Sequence, residues 1–274
     1  MPPAYREING LRLRYEVRGA SAPLAIVGHG LLGSMEQLDS SLPGLEGLLG
    51  QVRILRYDAR GHGESEGPTA PEDYTWDALG RDMLAFADAE RVDRAVFAGG
   101  SMGAGSAMWV AIERPERVRA MIAAMPPPLG HEHMRDRSEQ GALAMLQGLA
   151  RAVEQHGIER TVQMLKAFPQ FAPTPEEGEE RARWLLAQDP STLVPAIRGL
   201  GQAPYHDPEL YRRITAPTLV IGHEGDPLHP VRAARLLADR VPGARLIVGD
   251  YPGYWREHPE ELVSELRTFL ATIG

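Results

Sequence analysis

Alternating apolar and polar residues open the chain between Tyr5 and Val17. The alternation is centred on Asn9 and Gly10, a dipeptide whose residues readily adopt the positive φ angles of a tight two-residue turn. The pattern therefore predicts a hairpin of two antiparallel strands at the start of the fold.

Six short aliphatic runs follow the hairpin, and none of them alternates regularly between apolar and polar residues. Runs of this length and composition are typical of strands buried on both faces of a parallel sheet. They are Leu24–Val27, Val52–Tyr57, Ala95–Ala98, Met121–Ala124, Thr218–Gly222 and Leu246–Val248. Together with the hairpin, they predict a mostly parallel sheet of about eight strands.

Stretches with helical periodicity separate most of these runs. The clearest is Thr75–Glu90, and Val231–Val241 and Glu260–Ile273 repeat its pattern. The apolar residues on one face of the first stretch are Leu79, Met83, Phe86 and Ala87. Strands that alternate with amphipathic helices predict the α/β class, with helices covering both faces of the sheet.

Between Pro126 and Pro217 the strand signal disappears, and the composition becomes helical with frequent prolines. We interpret this stretch as a helical cap laid over the sheet. The chain then divides into a core domain of residues 1–125 and 217–274 and a helical cap of residues 126–216. The large apolar residues of the cap either form its own small core or line a substrate pocket. They are Met134, Met145, Met164, Phe168, Phe171 and Trp184.

Composition and charge exclude several classes of function. The 37 acidic residues against 29 basic ones leave a formal net charge of −8, which disfavours nucleic acid as a partner. Cysteine is absent, so disulfides, thiolate metal sites and cysteine nucleophiles are excluded. Lys166 is the single lysine, and no Walker loop can be written around it.

Targeting and membrane signals are also missing from the sequence. Residues 1–7 lack the apolar stretch of a signal peptide, and no run approaches the roughly 18 apolar residues of a membrane span. We therefore expect a cytoplasmic protein that has no membrane partner.

The most informative motif is Gly99-x-Ser101-x-Gly103, which lies between a strand pattern and a helical pattern at Ala104–Arg114. A serine on a sharp strand-to-helix turn needs glycine neighbours because no side chain fits there. The N-terminus of the following helix favours developing negative charge. An ordinary glycine-rich turn is the alternative, but the context favours a nucleophile elbow that exposes Ser101 at the carboxyl end of the sheet.

A second glycine-rich loop, Gly28-x-Gly30-x-x-Gly33, follows the strand Leu24–Val27. It formally matches the dinucleotide fingerprint of a nicotinamide or flavin enzyme, with Asp58 as the ribose-binding acid. Asp58 lies 30 residues after Gly28, whereas the fingerprint expects about 20. This interpretation also leaves the nucleophile elbow unexplained, so it stands only as an alternative.

The same loop is better suited to stabilising negative charge. The main-chain N–H of Leu31, paired with that of Met102, is predicted to hold the oxyanion of a tetrahedral intermediate. With Ser101 as nucleophile, the two loops indicate acyl-transfer chemistry, which implies no metal and no other cofactor.

With these motifs in place, the chain resembles the α/β-hydrolase family over nearly its full length. The shared features are the loop at His29, the elbow at Ser101, the cap, and Asp58–Ser65, which reads Asp-x-Arg-Gly-x-Gly-x-Ser. The resemblance implies that Asp226, after a late strand, is the acid of a catalytic triad. It also implies that His29 anchors the oxyanion loop and that His62 lies in a structural turn.

The resemblance breaks at the histidine of the triad. Family members carry this base in a Gly-His pair just after the last strand, and Tyr254 occupies that position here. A phenol with an ordinary pKa near 10 is a poor base for a serine hydroxyl. We take His229, three residues after Asp226, as the base. His258, His223 and the absence of any serine-activating histidine are the alternatives.

These residues predict a serine hydrolase that acts on a small carboxylic ester, thioester or lactone. The alternative is a non-hydrolytic member of the family, a lyase, a cyclase or a small-molecule-binding protein, which the substitution at Tyr254 favours. The residues expected around the substrate pocket are His29, Gly30, Tyr254 and His258. A metal at His131 and His133 has no supporting ligand set in the sequence, so none is expected.

Overall fold

The computed structural model describes residues 4–20, 23–40, 42–128, 132–168, 171, 174–202 and 207–273. The strands are β1 (Ala4–Ile8), β2 (Leu11–Arg18), β3 (Leu24–Gly28), β4 (Arg53–Tyr57), β5 (Ala95–Gly100), β6 (Val118–Ala124), β7 (Thr218–His223) and β8 (Arg245–Gly249). These strands form one eight-stranded sheet in the order β1-β2-β4-β3-β5-β6-β7-β8.

The sheet is parallel except at its N-terminal edge. The pairs β1–β2 and β2–β4 are antiparallel, and every other neighbouring pair is parallel. Asn9 and Gly10 turn the hairpin with φ angles of 49° and 82°, values that a tight turn of the mirror-image type requires. The predicted mostly parallel sheet of eight strands is confirmed.

Helices cover both faces of this sheet. They are α1 (Trp76–Ala89), α2 (Met102–Glu113), α3 (Arg137–His156), α4 (Ile158–Leu165), α5 (Pro175–Leu186), α6 (Pro190–Gln202), α7 (Val231–Arg240), α8 (Tyr254–Glu257) and α9 (Pro259–Ala271). Alternate residues of each central strand enter opposite layers. Ile26 and Phe97 pack with α1, α2 and α7, whereas Val27 and Ala98 pack with α9. The predicted α/β architecture is therefore confirmed.

The insertion between β6 and β7 shares the core of the sheet. Small and branched residues of α3 to α6, such as Ala150, Val153, Leu185 and Ile197, belong to the same hydrophobic cluster as α1 and α2. The three most exposed of the large apolar residues are Met145, Met164 and Phe168, which are 48%, 42% and 56% exposed. The expectation that these three form a small core of the cap is wrong, because the helices turn their smaller residues inward.

Two expectations about the whole chain stay predictions. The division into a core domain and a cap at residues 126–216 has no independent test, although the described residues between β6 and β7 are helical where they are regular. Within the described ranges, no helix is both long and apolar enough to cross a membrane. The cytoplasmic location is likewise still an expectation from the sequence.

Candidate active site

Ser101 lies on the turn that joins β5 to α2. Its φ and ψ angles are 54° and −111°, a combination that is sterically unfavourable for any residue with a Cβ atom. A Cβ on Gly103 would lie 2.1 Å from the carbonyl oxygen of Gly28, and one on Gly99 would lie 2.4 Å from the Gly103 carbonyl carbon. These glycines let α2 pack directly against the sheet, and this close packing holds Ser101 in its strained geometry.

Three side chains form a hydrogen-bonded chain at this turn. The Nε2 atom of His229 lies 2.9 Å from Ser101 Oγ, and its Nδ1 atom lies 3.2 Å from Asp226 Oδ2. The side chains of His229 and Asp226 are only 14% and 13% exposed, so water screens their interaction weakly. We refer to Ser101, His229 and Asp226 as the triad.

Hydrogen bonds fix the protonation pattern of the triad. The Asp226 carboxylate only accepts, so Nδ1 of His229 carries the proton and Nε2 is free to accept from the Ser101 hydroxyl. Burial by itself raises the pKa of Asp226, but the charge and hydrogen bonds of His229 and the Leu228 amide outweigh it. The pKa of Asp226 therefore lies below its usual range, and the carboxylate is ionised at neutral pH.

The acid and the candidate base belong to one loop, between β7 and α7. Asp226 Oδ1 accepts hydrogen bonds from the amides of Leu228 at 2.8 Å and of His229 at 2.9 Å. An aspartate that binds the main chain two and three residues ahead closes a local turn. This turn brings the His229 imidazole onto the Asp226 carboxylate. Gly225, at a φ of 69°, supplies the left-handed backbone just before it.

Two main-chain amides are available beside Ser101. Gly30 comes close to the serine, since a Cβ added to Gly30 would lie 3.6 Å from Ser101 Cβ. Leu31 and Met102 have no hydrogen-bond partner for their main-chain N–H among the described residues, and Met102 is the first residue of α2, where amides have no helical acceptor. These two amides are therefore the candidate donors for a negatively charged oxygen at Ser101.

His29 and His62 anchor the loop that carries Leu31. His29 Nδ1 lies 2.7 Å from the Gly30 carbonyl oxygen, and its Nε2 accepts from the Ala59 amide at 2.9 Å. Nε2 of His62 lies 2.6 Å from the Leu31 carbonyl oxygen. Burial, reinforced by the neighbouring His62, lowers the pKa of His29 to about 3. Both rings are almost fully buried and fix the loop.

Tyr254 and His258 lie together, away from the triad contacts. The Tyr254 hydroxyl donates to Glu261 Oε2 at 3.0 Å, and its ring centroid lies 4.4 Å from that of His258. The hydrogen bond to Glu261 raises the pKa of Tyr254, which keeps the phenol protonated. In the part of the chain that the structure describes, no hydrogen bond or ring contact joins either residue to the triad. Their predicted place in the substrate pocket is still untested.

His223, at the end of β7, is the other histidine near the triad. It is 5% exposed, and neither ring nitrogen has a hydrogen-bond partner in the described ranges. Burial lowers its pKa, with smaller and opposing contributions from Asp226 and His229. His223 makes no hydrogen bond to Ser101, so among the described histidines it is His229 whose ring contacts the serine hydroxyl.

The dinucleotide interpretation of the Gly28–Gly33 loop does not fit the structure. The loop leads into a 3-10 helix, Met35–Ser40, rather than into the α-helix whose N-terminus would hold a pyrophosphate. Asp58 is fully buried and accepts from the amides of Met35 and Glu64 at 2.8 and 3.0 Å. The Asp58 carboxylate therefore binds main-chain amides inside the protein and is not available to a ribose.

Metal binding finds no support in the described residues, where no group of three His, Asp or Glu side chains is placed to hold an ion. His133 is exposed, and His131 lies outside the described residues.

The sequence analysis missed two residues that connect the helical insertion to the site. Gln188 contacts the loop of Leu31, and Arg232 joins α7 to the start of α3. Neither belongs to a motif. Arg232 follows His229 by three residues, but its partners lie about 100 positions away in the chain, and a single sequence carries no signal of such pairs.

Comparisons with known proteins agree on the fold. A family model described as the alpha/beta hydrolase fold matches residues 23–252. 3-Oxoadipate enol-lactonase 2 of Acinetobacter baylyi is 30% identical over 69% of this chain and 67% of that protein. A putative carbamate hydrolase of Klebsiella pneumoniae is 25% identical over 85% of each chain. The solved enol-lactonase of Burkholderia xenovorans LB400 has a TM-score of 0.81 at 21% identity, covering 98% of this chain and 100% of that chain.

Proposed function

Because the chain belongs to the α/β-hydrolase fold family, we propose that it is a serine hydrolase that cleaves a small carboxylic ester, thioester or lactone. Relatives named enol-lactonase and carbamate hydrolase support a hydrolase acting on esters or lactones. The observation that carries the proposal is the 2.9 Å contact between His229 Nε2 and Ser101 Oγ, made by an imidazole whose other nitrogen faces Asp226.

In the first half of the reaction, Ser101 Oγ attacks the substrate carbonyl carbon while His229 Nε2 takes the hydroxyl proton. The carbonyl oxygen becomes an oxyanion that accepts hydrogen bonds from the amides of Leu31 and Met102. The ionised Asp226 stabilises the imidazolium that forms. The tetrahedral intermediate collapses, the bond to the leaving group breaks, and His229 returns its proton to the leaving oxygen or sulfur.

The second half repeats these steps with water. His229 Nε2 takes a proton from a water molecule, which attacks the acyl carbon bound to Ser101. The same two amides stabilise the second oxyanion. Its collapse releases the carboxylic acid, and the proton held by His229 returns to Ser101 Oγ, which restores the free enzyme.

The alternative of a non-hydrolytic protein rested on the substitution at Tyr254. The position of His229 supports hydrolysis over that alternative, because it offers a base from another part of the chain. The two main-chain N–H groups of Leu31 and Met102 also support acyl transfer. A protein that only binds a small molecule does not need a pair of donors for an oxyanion.

A panel of short acyl esters and lactones tests the proposal. The wild-type protein is expected to hydrolyse at least one of them. The Ser101→Ala variant is expected to hydrolyse the same compound more slowly by a factor of about 10³ or more. Thermal unfolding of the variant should match the wild type, because the change removes a single hydroxyl. Equal turnover by both proteins would take Ser101 out of the mechanism.

A further inference from the structure

Met125, the first residue after β6, has a left-handed backbone. Its φ angle is 46°, a conformation that is sterically costly for a residue with a Cβ atom. Pro126 follows directly, and a residue before proline prefers an extended backbone. Strain of this kind persists only where the surrounding structure holds it, and it is concentrated at functional sites. The conformation of Met125 therefore needs a reason in its surroundings.

Two hydrogen bonds hold this turn at the carboxyl edge of the sheet. The amide of Ser101 donates to the carbonyl oxygen of Ala124 at 2.9 Å, and the amide of Met125 donates to that of Ile221 in β7 at 2.7 Å. The left-handed turn thus lies between the nucleophile at the end of β5 and the strand that leads to the loop of His229.

The contact between His229 and Ser101 crosses the end of β6. Ser101 follows β5 and His229 follows β7, and β6 lies between these two strands. Neighbouring strands are about 4.8 Å apart, so the two side chains bridge roughly 10 Å between the strand axes. Gly100 pairs with Ala124, which places Ser101 level with Met125. A chain that continued β6 in an extended conformation beyond Met125 would enter the space that His229 crosses.

The side-chain layers show that the chain turns at this point. Met121 and Ala123 belong to the layer of α1 and α2, whereas Ile122 and Ala124 belong to the layer of α9. Regular alternation would return Met125 to the first layer, but it packs against the second. The left-handed backbone therefore ends the strand geometry of β6 and redirects the chain just short of the triad contact.

We propose that the left-handed turn at Met125 positions the catalytic pair, because it keeps the main chain out of the space through which His229 reaches Ser101. Met125 is then a positioning residue that acts through its backbone, and this role needs no contact between its side chain and the substrate. The inference rests on the proposed function and adds to it a residue outside the triad.

A residue that resists the left-handed conformation is expected to displace Ser101 and His229 relative to each other. Proton transfer depends steeply on the distance between the two side chains. We therefore expect kcat to fall while KM changes little, since substrate binding does not use the turn.

Leucine and isoleucine at position 125 give a matched comparison. The two side chains have the same volume, but only isoleucine branches at Cβ, and a branched residue at a positive φ angle is a severe outlier. On the ester or lactone that the wild type hydrolyses best, Met125→Leu is expected to keep kcat within about 3-fold. Met125→Ile is expected to lower kcat by about 10-fold or more, with KM within about 3-fold.

Glycine separates the backbone of Met125 from its side chain. Met125→Gly removes the thioether but adopts a positive φ angle freely, so its kcat is expected to stay within about 3-fold of the wild type. A loss of about 10-fold or more in this variant would overturn the proposal, and this result does not depend on whether Met125→Ile folds. Unchanged kcat in folded Met125→Ile, or an equal loss in Met125→Leu, would overturn it as well.

Labelling of Ser101 by a fluorophosphonate probe separates this inference from the proposed function, because it needs no substrate. The wild type, Met125→Leu and Met125→Gly are expected to label at similar rates, and Met125→Ile about 10-fold more slowly. If no ester or lactone is hydrolysed but labelling follows this order, the proposed function fails and the positioning role stands. Equal labelling of all four proteins, together with Ser101-dependent turnover, would overturn the positioning role and leave the hydrolase intact.

Discussion

His229 reaches Ser101 from the loop that also carries Asp226, whereas the histidine expected from the family resemblance would stand at the position of Tyr254. Asp226 and His229 are three residues apart, and the Asp226 carboxylate accepts hydrogen bonds from the main-chain amides of Leu228 and His229. One local turn therefore fixes the distance between acid and base. The serine is the single triad member that depends on tertiary packing to meet the other two.

Alanine at position 229 tests which side chain acts as the base. His229→Ala is expected to lower kcat/KM by about 10³-fold or more, close to the effect of Ser101→Ala, because triad members act as a unit. Tyr254→Phe and His258→Asn are the controls, and both should keep turnover within a few-fold of the wild type. A large loss of kcat/KM in either control, together with an active His229→Ala variant, would show that the base lies in the loop of Tyr254 and His258 instead.

A single sequence predicts some of these residues and not others. The Gly-x-Ser-x-Gly spacing marks Ser101, and the resemblance to a family marks Asp226 and the missing histidine. The sequence put His229 first among three histidines and left open that no base exists, and the short distance between His229 Nε2 and Ser101 Oγ supports that choice. Gln188 carried no signal, because its side-chain nitrogen contacts two main-chain oxygens, and no residue pattern encodes such contacts.

At the scale of elements, the triad loop is held by the helix that follows it. Arg232, in the first turn of α7, forms an ion pair with Glu139 of α3 and donates to the Met134 carbonyl oxygen at 3.1 Å. Glu139 is 1% exposed and caps α3 together with Asp136. The helical insertion is thus fastened to α7 one turn beyond His229.

Removing this fastening is expected to destabilise the protein. Arg232→Ala removes the Arg232 cation from the buried Glu139 carboxylate, which costs about 1–3 kcal/mol in free energy of unfolding because the arginine itself is 45% exposed. Arg235→Ala is the matched control on the same helix, because its ion pair with Glu224 is exposed and exposed pairs contribute at most about 1 kcal/mol. Urea unfolding measures both. Equal losses in the two variants would contradict the role assigned to Arg232.

Elements were predicted more reliably than their packing. The six aliphatic runs became β3 to β8, and the largest error was at β6, which begins at Val118 rather than Met121 because Val118 pairs with Ala95 of β5. The large apolar residues of the insertion were interpreted less well. Residue size marked Met145 and Phe168 as core, whereas the side of the helix that faces the sheet decides burial.

Buried histidines make the stability of the whole molecule depend on pH. The pKa of His29 is about 3 in the folded protein against about 6.5 in an unfolded chain. Burial also lowers the pKa of His62 and His223. Between about pH 3 and pH 6.5 the unfolded state binds a proton at His29 that the folded state does not bind. The free energy of unfolding is therefore highest above about pH 6.5 and falls as the pH is lowered.

The free energy of unfolding should therefore fall between pH 6 and pH 5, before most carboxylates titrate. Each buried histidine contributes up to about 1.4 kcal/mol per pH unit. His29→Gln is expected to reduce the slope by about that amount, and the exposed His156, changed to glutamine, should leave it unaltered. Urea unfolding at half-unit intervals measures the slopes. An unchanged slope in His29→Gln would show that His29 titrates normally in the fold.

The central claim is that fold and loop together make Ser101 a nucleophile without the usual histidine. The most direct measurement is labelling by a fluorophosphonate probe, followed by mass spectrometry of the intact protein and its peptides. We expect one adduct on the wild type, located on Ser101, no adduct on Ser101→Ala, and labelling of His229→Ala slowed by about 10³-fold or more. A wild-type protein that takes no label, or takes it on another residue, would contradict the account.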